Sequence, residues 1–103
     1  MNSSHNIVEC FIEISKNSNI KYELTDNKLK LDRVLFGSMV YPHNYGFILN
    51  TLSEDNDPLD VLLISNFSLA PGTYADARIL GALEMVDSGE EDLKIIAVMD
   101  KDP

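Results

Sequence analysis

No stretch of this chain keeps its apolar residues on a 3.6-residue period. Short runs rich in β-branched and aromatic residues alternate with polar ones, and a turn signal cuts off each run. That pattern predicts an all-β core. Strands are expected over 7–14, 21–24, 28–35, from Tyr45 to Ile48, and over 60–64, 75–86 and 92–99. Thr25-Asp26-Asn27 marks a hairpin turn, with Leu29 and Leu31 inward and Lys30 and Asp32 outward. Pro71-Gly72 marks a second turn, and Gly81 a bend or bulge in the long strand.

Short strands of this kind close into a barrel or stack as a sandwich. The bend at Gly81 favours a five- to six-stranded closed Greek-key barrel of the OB type, spanning residues 1–103 as a single domain. At 103 residues, 45% of them hydrophobic, the chain has material for one modest core. Its longest apolar run, Ile95-Ile96-Ala97-Val98-Met99, is too short to span a bilayer. Met1-Asn2-Ser3-Ser4-His5 lacks the layout of a signal peptide. Cys10 is alone, which excludes an intrachain disulfide and points to a reducing, cytoplasmic setting. A net charge of −9 argues against nucleic acid and anionic membrane as partners.

The chemistry concentrates in Asp55-Asn56-Asp57-Pro58-Leu59-Asp60, which runs directly into the apolar Val61-Leu62-Leu63-Ile64. Crowded carboxylates raise one another's pKa unless a cation sits among them. Mg²⁺ binds through a few carboxylates, water and phosphate oxygens, so the loop reads as a metal site on the end of a buried strand. The plain alternative is a solvated acidic turn, because Asp-Pro opens turns and Asn tolerates left-handed backbone. An EF-hand is excluded, since its Gly and Glu positions hold Asp60 and Asn66 here. In the last hairpin, a loop over 88–91 would set Asp87 opposite Asp92, close enough to share a cation, with Lys94 on the same face. An ordinary acidic hairpin tip remains open there. Arg33 offers a planar fork suited to phosphate or a solvated surface charge. Glu13, Lys21, Glu23, Tyr41 and Tyr45 admit surface or packing roles equally well, and His5 and His43 read as structural.

Glu13-Ile14, Lys21-Tyr22-Glu23, Asp32-Arg33, Tyr41-Pro42-His43-Asn44-Tyr45-Gly46, Asp55 to Asp60, and Asp87 through Asp92 to Lys94 occur in order. In residue type and spacing this series resembles the family I soluble inorganic pyrophosphatases, from Val8 onward. The resemblance implies Mg²⁺-dependent hydrolysis of pyrophosphate to two phosphates by a metal-activated water. It implies Asp55, Asp60, Asp87 and Asp92 as metal ligands and Asp57 as the catalytic carboxylate beside the nucleophilic water. It implies Lys21, Arg33, Tyr45 and Lys94 as the phosphate-holding residues, with Glu13, Glu23 and Tyr41 in support. Cytoplasmic location and a homo-oligomer are implied as well.

Ser15 stands where the family usually has Pro, and Asn56 where Gly is frequent. The chain ends at Asp100-Lys101-Asp102-Pro103, where the family continues with a Tyr-Lys phosphate clamp and a helix covering the barrel. The expectation is therefore a truncated pyrophosphatase whose uncovered Leu80, Leu83 and Ile96 favour self-association. The alternative is a catalytically weak or inactive metal-binding or assembly module of the same fold.

Overall fold

The computed structural model describes residues 7–35, 42–50, 58–87 and 89–100; for Met85, Asp87, Glu90 and Glu91 it describes the backbone alone. Every regular element among them is a strand: β1 (Ile7–Ile14), β2 (Ile20–Thr25), β3 (Lys28–Val34), β4 (Asn44–Ile48), β5 (Asp60–Ile64), β6 (Tyr74–Asp87) and β7 (Glu90–Met99). Five of them close a barrel in the order β1-β4-β5-β7-β6, while β2 and β3 form a separate two-stranded sheet. The ladders are antiparallel except for β5 with β7, a parallel pairing that only a crossover can make.

Pleating sorts the residues of each barrel strand onto two faces. Cys10, Ile12, Ile48, Val61, Leu63, Ala77, Ile95 and Ala97 form the interior cluster. Their neighbours in sequence, among them Asp60 and Lys94, therefore fall on the outer face, as does Tyr45, three residues before Ile48. Phe11, also outer, is covered by Phe47 and Tyr74, with ring centroids 5.3 Å away in each case. Burial, reinforced by the carboxylates of Asp76 and Glu9, pushes the Cys10 thiol up to about 11, so it stays a protonated core group.

Three bulges break the ladders. Glu13 is the extra residue between Ile12↔Gly46 and Ile14↔Tyr45, Asp32 between Lys21↔Arg33 and Tyr22↔Leu31, and Leu80 between Ile79↔Ala97 and Gly81↔Ile96. The bend expected near Gly81 is thus a bulge centred one residue earlier.

Two expectations need correction. The β2–β3 leucines are not inward: Leu24, Leu29, Leu31 and Val34 are all exposed, Leu31 by 59%. Period-2 alternation defines a face, but a two-stranded sheet outside the barrel has no second layer to bury it. The last hairpin is also tighter than expected. Asp87 pairs with Glu90 and Asp92 with Met85, so Asp87 and Asp92 are not opposed. Gly89 takes φ +82°, which lets two residues make the turn that a loop over 88–91 would otherwise make. The other hairpin turn follows its sequence signal: Asp26 and Asn27 have φ of 53° and 63°, the left-handed pair that matches strand twist.

Gly46 sets how closely β1 and β4 approach. A Cβ there would lie 1.8 Å from the carbonyl oxygen of Phe11, a main-chain atom that no rotamer change can move. Gly46→Ala should therefore force the two strands apart and destabilise the barrel by about 3 kcal/mol or more. Urea denaturation of the two proteins measures this, and a loss under about 1 kcal/mol would mean the β1–β4 contact is pliable.

Candidate active site

Lys94 is the centre of the outer-face cluster. Its Nζ donates to Asp60 Oδ2 at 3.0 Å and to the Tyr45 hydroxyl at 3.3 Å, and lies 2.7 Å from Asp92 Oδ2. It also sits 5.3 Å from the centroid of the Tyr45 ring. Backbone register explains the convergence: Asp60 faces Lys94 directly across the parallel β5–β7 ladder, and Asp92 lies two residues before Lys94 on the same face. Tyr45 reaches Asp60 diagonally from β4, where it pairs with Leu62.

Burial pushes the Lys94 amine down, but its hydrogen bonds to Asp92 and Asp60 outweigh this and hold the ammonium well above the ordinary lysine range. Burial also raises the Tyr45 phenol, with the Asp60 charge adding and Lys94 opposing. At neutral pH Lys94 is thus an ammonium and Tyr45 a protonated phenol.

A second group flanks the first. The bulge at Glu13 ends the regular β1 ladder, and bulges characteristically re-aim a side chain. Desolvation raises the Glu13 carboxyl, Lys21 opposes it, and Asp60, Asp32 and Glu23 raise it further. That set of neighbours ties β1 to the β2–β3 hairpin on one side and to β5 on the other. Within the hairpin, Asp32 Oδ2 lies 3.7 Å from Lys21 Nζ and 3.8 Å from Arg33 Nε. Lys21 and Arg33 are directly paired across the strands, so both cations stand on one end of the hairpin.

Of the residues picked from sequence, the structure gathers Tyr45, Asp60, Asp92 and Lys94 by direct contact. Glu13 is linked to that group through the charge of Asp60 and to the hairpin through Lys21, Asp32 and Glu23, while Arg33 pairs only with Asp32 among the described residues. Tyr41, Asp55 and Asp57 lie outside the described residues, and of Asp87 only the backbone is described. Among the described residues no three His, Cys, Asp or Glu side chains converge into a metal-holding group.

Two residues were passed over in the sequence. Asp32 was treated only as a neighbour of Arg33, yet its bulge aims it at Lys21. Asn44 is fully buried at 0% exposure, and its amide bonds three separate backbone groups. A signal for Asn44 did exist: it alternates with Gly46 and Ile48 on the inward parity of β4, where a polar side chain must be fully satisfied.

The sequence model of the family described as Inorganic pyrophosphatase matches residues 10–103. The chain is 52% identical over 99 residues to soluble inorganic pyrophosphatase 4 of Arabidopsis thaliana, covering 94% of this chain and 46% of that protein. It is 53% identical over 94 residues to the inorganic pyrophosphatase of Ureaplasma parvum serovar 3, covering 89% and 52%. Among solved structures, the inorganic pyrophosphatase of Thermus thermophilus superposes with a TM-score of 0.89 at 41% identity, over 99% of this chain and 60% of that one. The chain spans about half the length of the curated relatives it matches. A barrel of this topology, matched along nearly its whole length in both sequence and structure, belongs to the inorganic pyrophosphatase family.

Proposed function

We propose that this chain hydrolyses inorganic pyrophosphate to two phosphates with the help of bound Mg²⁺. The observation that carries this reading is the convergence of Asp60 and Asp92 on one cationic centre, the Lys94 ammonium, in a family whose relatives are named inorganic pyrophosphatases. Two carboxylates that already share one positive charge have the donor chemistry that a hard divalent ion requires. Asp60 and Asp92 would hold such an ion, with Asp55 and Asp87 as further ligands by resemblance to the family. Bound there, divalent ions supply charge neutralisation for a tetra-anionic substrate and lower the pKa of water.

The chain's own residues do the rest. Lys94 exchanges its carboxylate partners for a phosphate oxygen, an anion that takes over their part in holding the ammonium charged. The Tyr45 hydroxyl, kept protonated, donates a hydrogen bond to a second oxygen. Lys21 and Arg33 approach from the hairpin and neutralise charge on the leaving phosphate, the contribution that matters most in phosphoryl transfer. Asp57 accepts the proton of the attacking water, so that the P–O–P bridge breaks as the new P–O bond forms. Glu13, Glu23 and Tyr41 support these groups. Because the protein carries a net charge of −9, its basic residues must be focused at the site for an anion to approach at all.

The electrostatic reading predicts that Mg²⁺ at roughly a hundred times its Kd raises the melting temperature by roughly 10 °C over a chelator-treated sample. Lys94→Met should lower the melting temperature in chelator, by about 1–2 kcal/mol of lost charge-assisted hydrogen bonding, and lower it less when Mg²⁺ is present. Calorimetric melts of both proteins under both conditions measure this, and identical Mg²⁺ responses would break the link between Lys94 and the metal ligands.

The reaction itself is tested by phosphate release from pyrophosphate. Asp57→Asn should cut kcat by about 10²- to 10⁴-fold while the Mg²⁺-induced stabilisation survives. Asp60→Asn should weaken both. A chain stabilised by Mg²⁺ that releases no phosphate would be a metal-binding module of the same fold, not a hydrolase.

A further inference from the structure

Asn44 is the most completely buried polar side chain described, and it sits one peptide bond from Tyr45. Its Oδ1 accepts from the backbone N–H of Lys16 at 2.9 Å and of Leu69 at 3.0 Å, and its Nδ2 donates to the carbonyl of Phe67 at 3.0 Å. Both acceptor lone pairs of the amide oxygen are therefore committed. The three groups it joins belong to two segments, the exit of β1 (Lys16) and the loop that follows β5 (Phe67 and Leu69).

The place where this happens matters. The β1–β4 ladder ends at Ile14↔Tyr45, just past the Glu13 bulge, and the chain then turns away through Ser15 and Lys16. No main-chain partner from β4 continues the ladder there, and the Asn44 side chain supplies the next bond in its stead. Further bonds seal the same junction: Ser15 Oγ donates to the Leu69 carbonyl, Lys16 Nζ to the Ser65 carbonyl at 2.8 Å, and Ser68 Oγ to the Lys16 carbonyl at 3.3 Å. A bulge sacrifices ladder hydrogen bonds, so it holds its shape only when both flanks are fixed. Gly46 fixes the flank before Glu13 through close contact with Phe11, and Asn44 fixes the flank after it.

We propose that Asn44 is a positioning residue of the site, acting through Tyr45 and Glu13. Its three hydrogen bonds lock the start of β4 and the outgoing end of the Glu13 bulge. That keeps the Tyr45 hydroxyl on Lys94 and the Glu13 carboxyl among Lys21, Asp32 and Asp60. The kinetic part of the proposal rests on the pyrophosphatase reading, whereas the structural part does not.

The experiment compares Asn44→Ala with Ile48→Ala, a core truncation on the same strand that touches none of these hydrogen bonds. Each is studied well below its melting temperature, with two readings. In protein labelled with ¹³C at the tyrosine Cζ atoms, the Tyr45 resonance, assigned through Tyr45→Phe, should move in Asn44→Ala and stay in place in Ile48→Ala. In phosphate release, Asn44→Ala should lose roughly 30- to 100-fold in kcat, the scale of a misplacement near 1 Å. Asn44→Asp, which keeps the accepting oxygen but sets a second oxygen against the Phe67 carbonyl in a fully buried position, should recover little of that loss. Should Asn44→Ala fail to fold, Asn44→Ser, too short to reach both Lys16 and Phe67, is read in the same way. A Tyr45 resonance unmoved in a folded Asn44 variant, or moved equally in Ile48→Ala, overturns the proposal. A parent chain that releases no phosphate sinks the pyrophosphatase reading alone, because the resonance still decides whether Asn44 positions Tyr45.

Discussion

The parallel pairing of β5 with β7 does two things at once. It closes the barrel, and it sets Asp60 directly across from Lys94. Because strands alternate faces, the same register that buries Val61 beside Ile95 and Leu63 beside Ala97 inside must place Asp60 beside Lys94 outside. Core and site are thus the two faces of one ladder. A slip of one residue would expose the apolar set and bury the charged one, so hydrophobic burial itself enforces the geometry of the charged cluster.

Electrostatics explains why the cluster is tolerated in a strongly acidic chain. Asp60 and Asp92 would repel at this separation, yet Lys94 satisfies both while remaining only partly exposed. Among the described residues Glu13 shows no such direct ion pair. Its carboxyl is raised by desolvation and by the charges of Asp60, Asp32 and Glu23, against the opposing charge of Lys21.

The β2–β3 hairpin contributes differently. It buries little of its own surface, and its leucines and valine face solvent. Its contribution is to carry Lys21 and Arg33 to the edge of the cluster, with the Asp32 bulge turning the strand so that one carboxylate sits near both. An element with so many exposed side chains belongs to the low-stability end of the molecule.

The succession of strands along the chain, the turn at Asp26-Asn27, the bend near Gly81 and the identity of Tyr45, Asp60, Asp92 and Lys94 were legible in the sequence. Each depends on local chemistry: period-2 alternation, left-handed Asp and Asn, and charged residues spaced two apart on one strand face. What escaped was whatever depends on how two distant segments meet. The β2–β3 leucines alternate as core residues do, but only the tertiary arrangement shows that no second layer covers them. The pairing of Asp92 with Met85 and not Asp87 turned on a single glycine's backbone angle. Asn44 reads as one polar residue in a motif, yet its meaning lies in bonds to positions 16, 67 and 69. Sequence determines which face a residue occupies, because pleating is local; only the folded barrel decides which faces are brought together, because closure joins segments tens of residues apart.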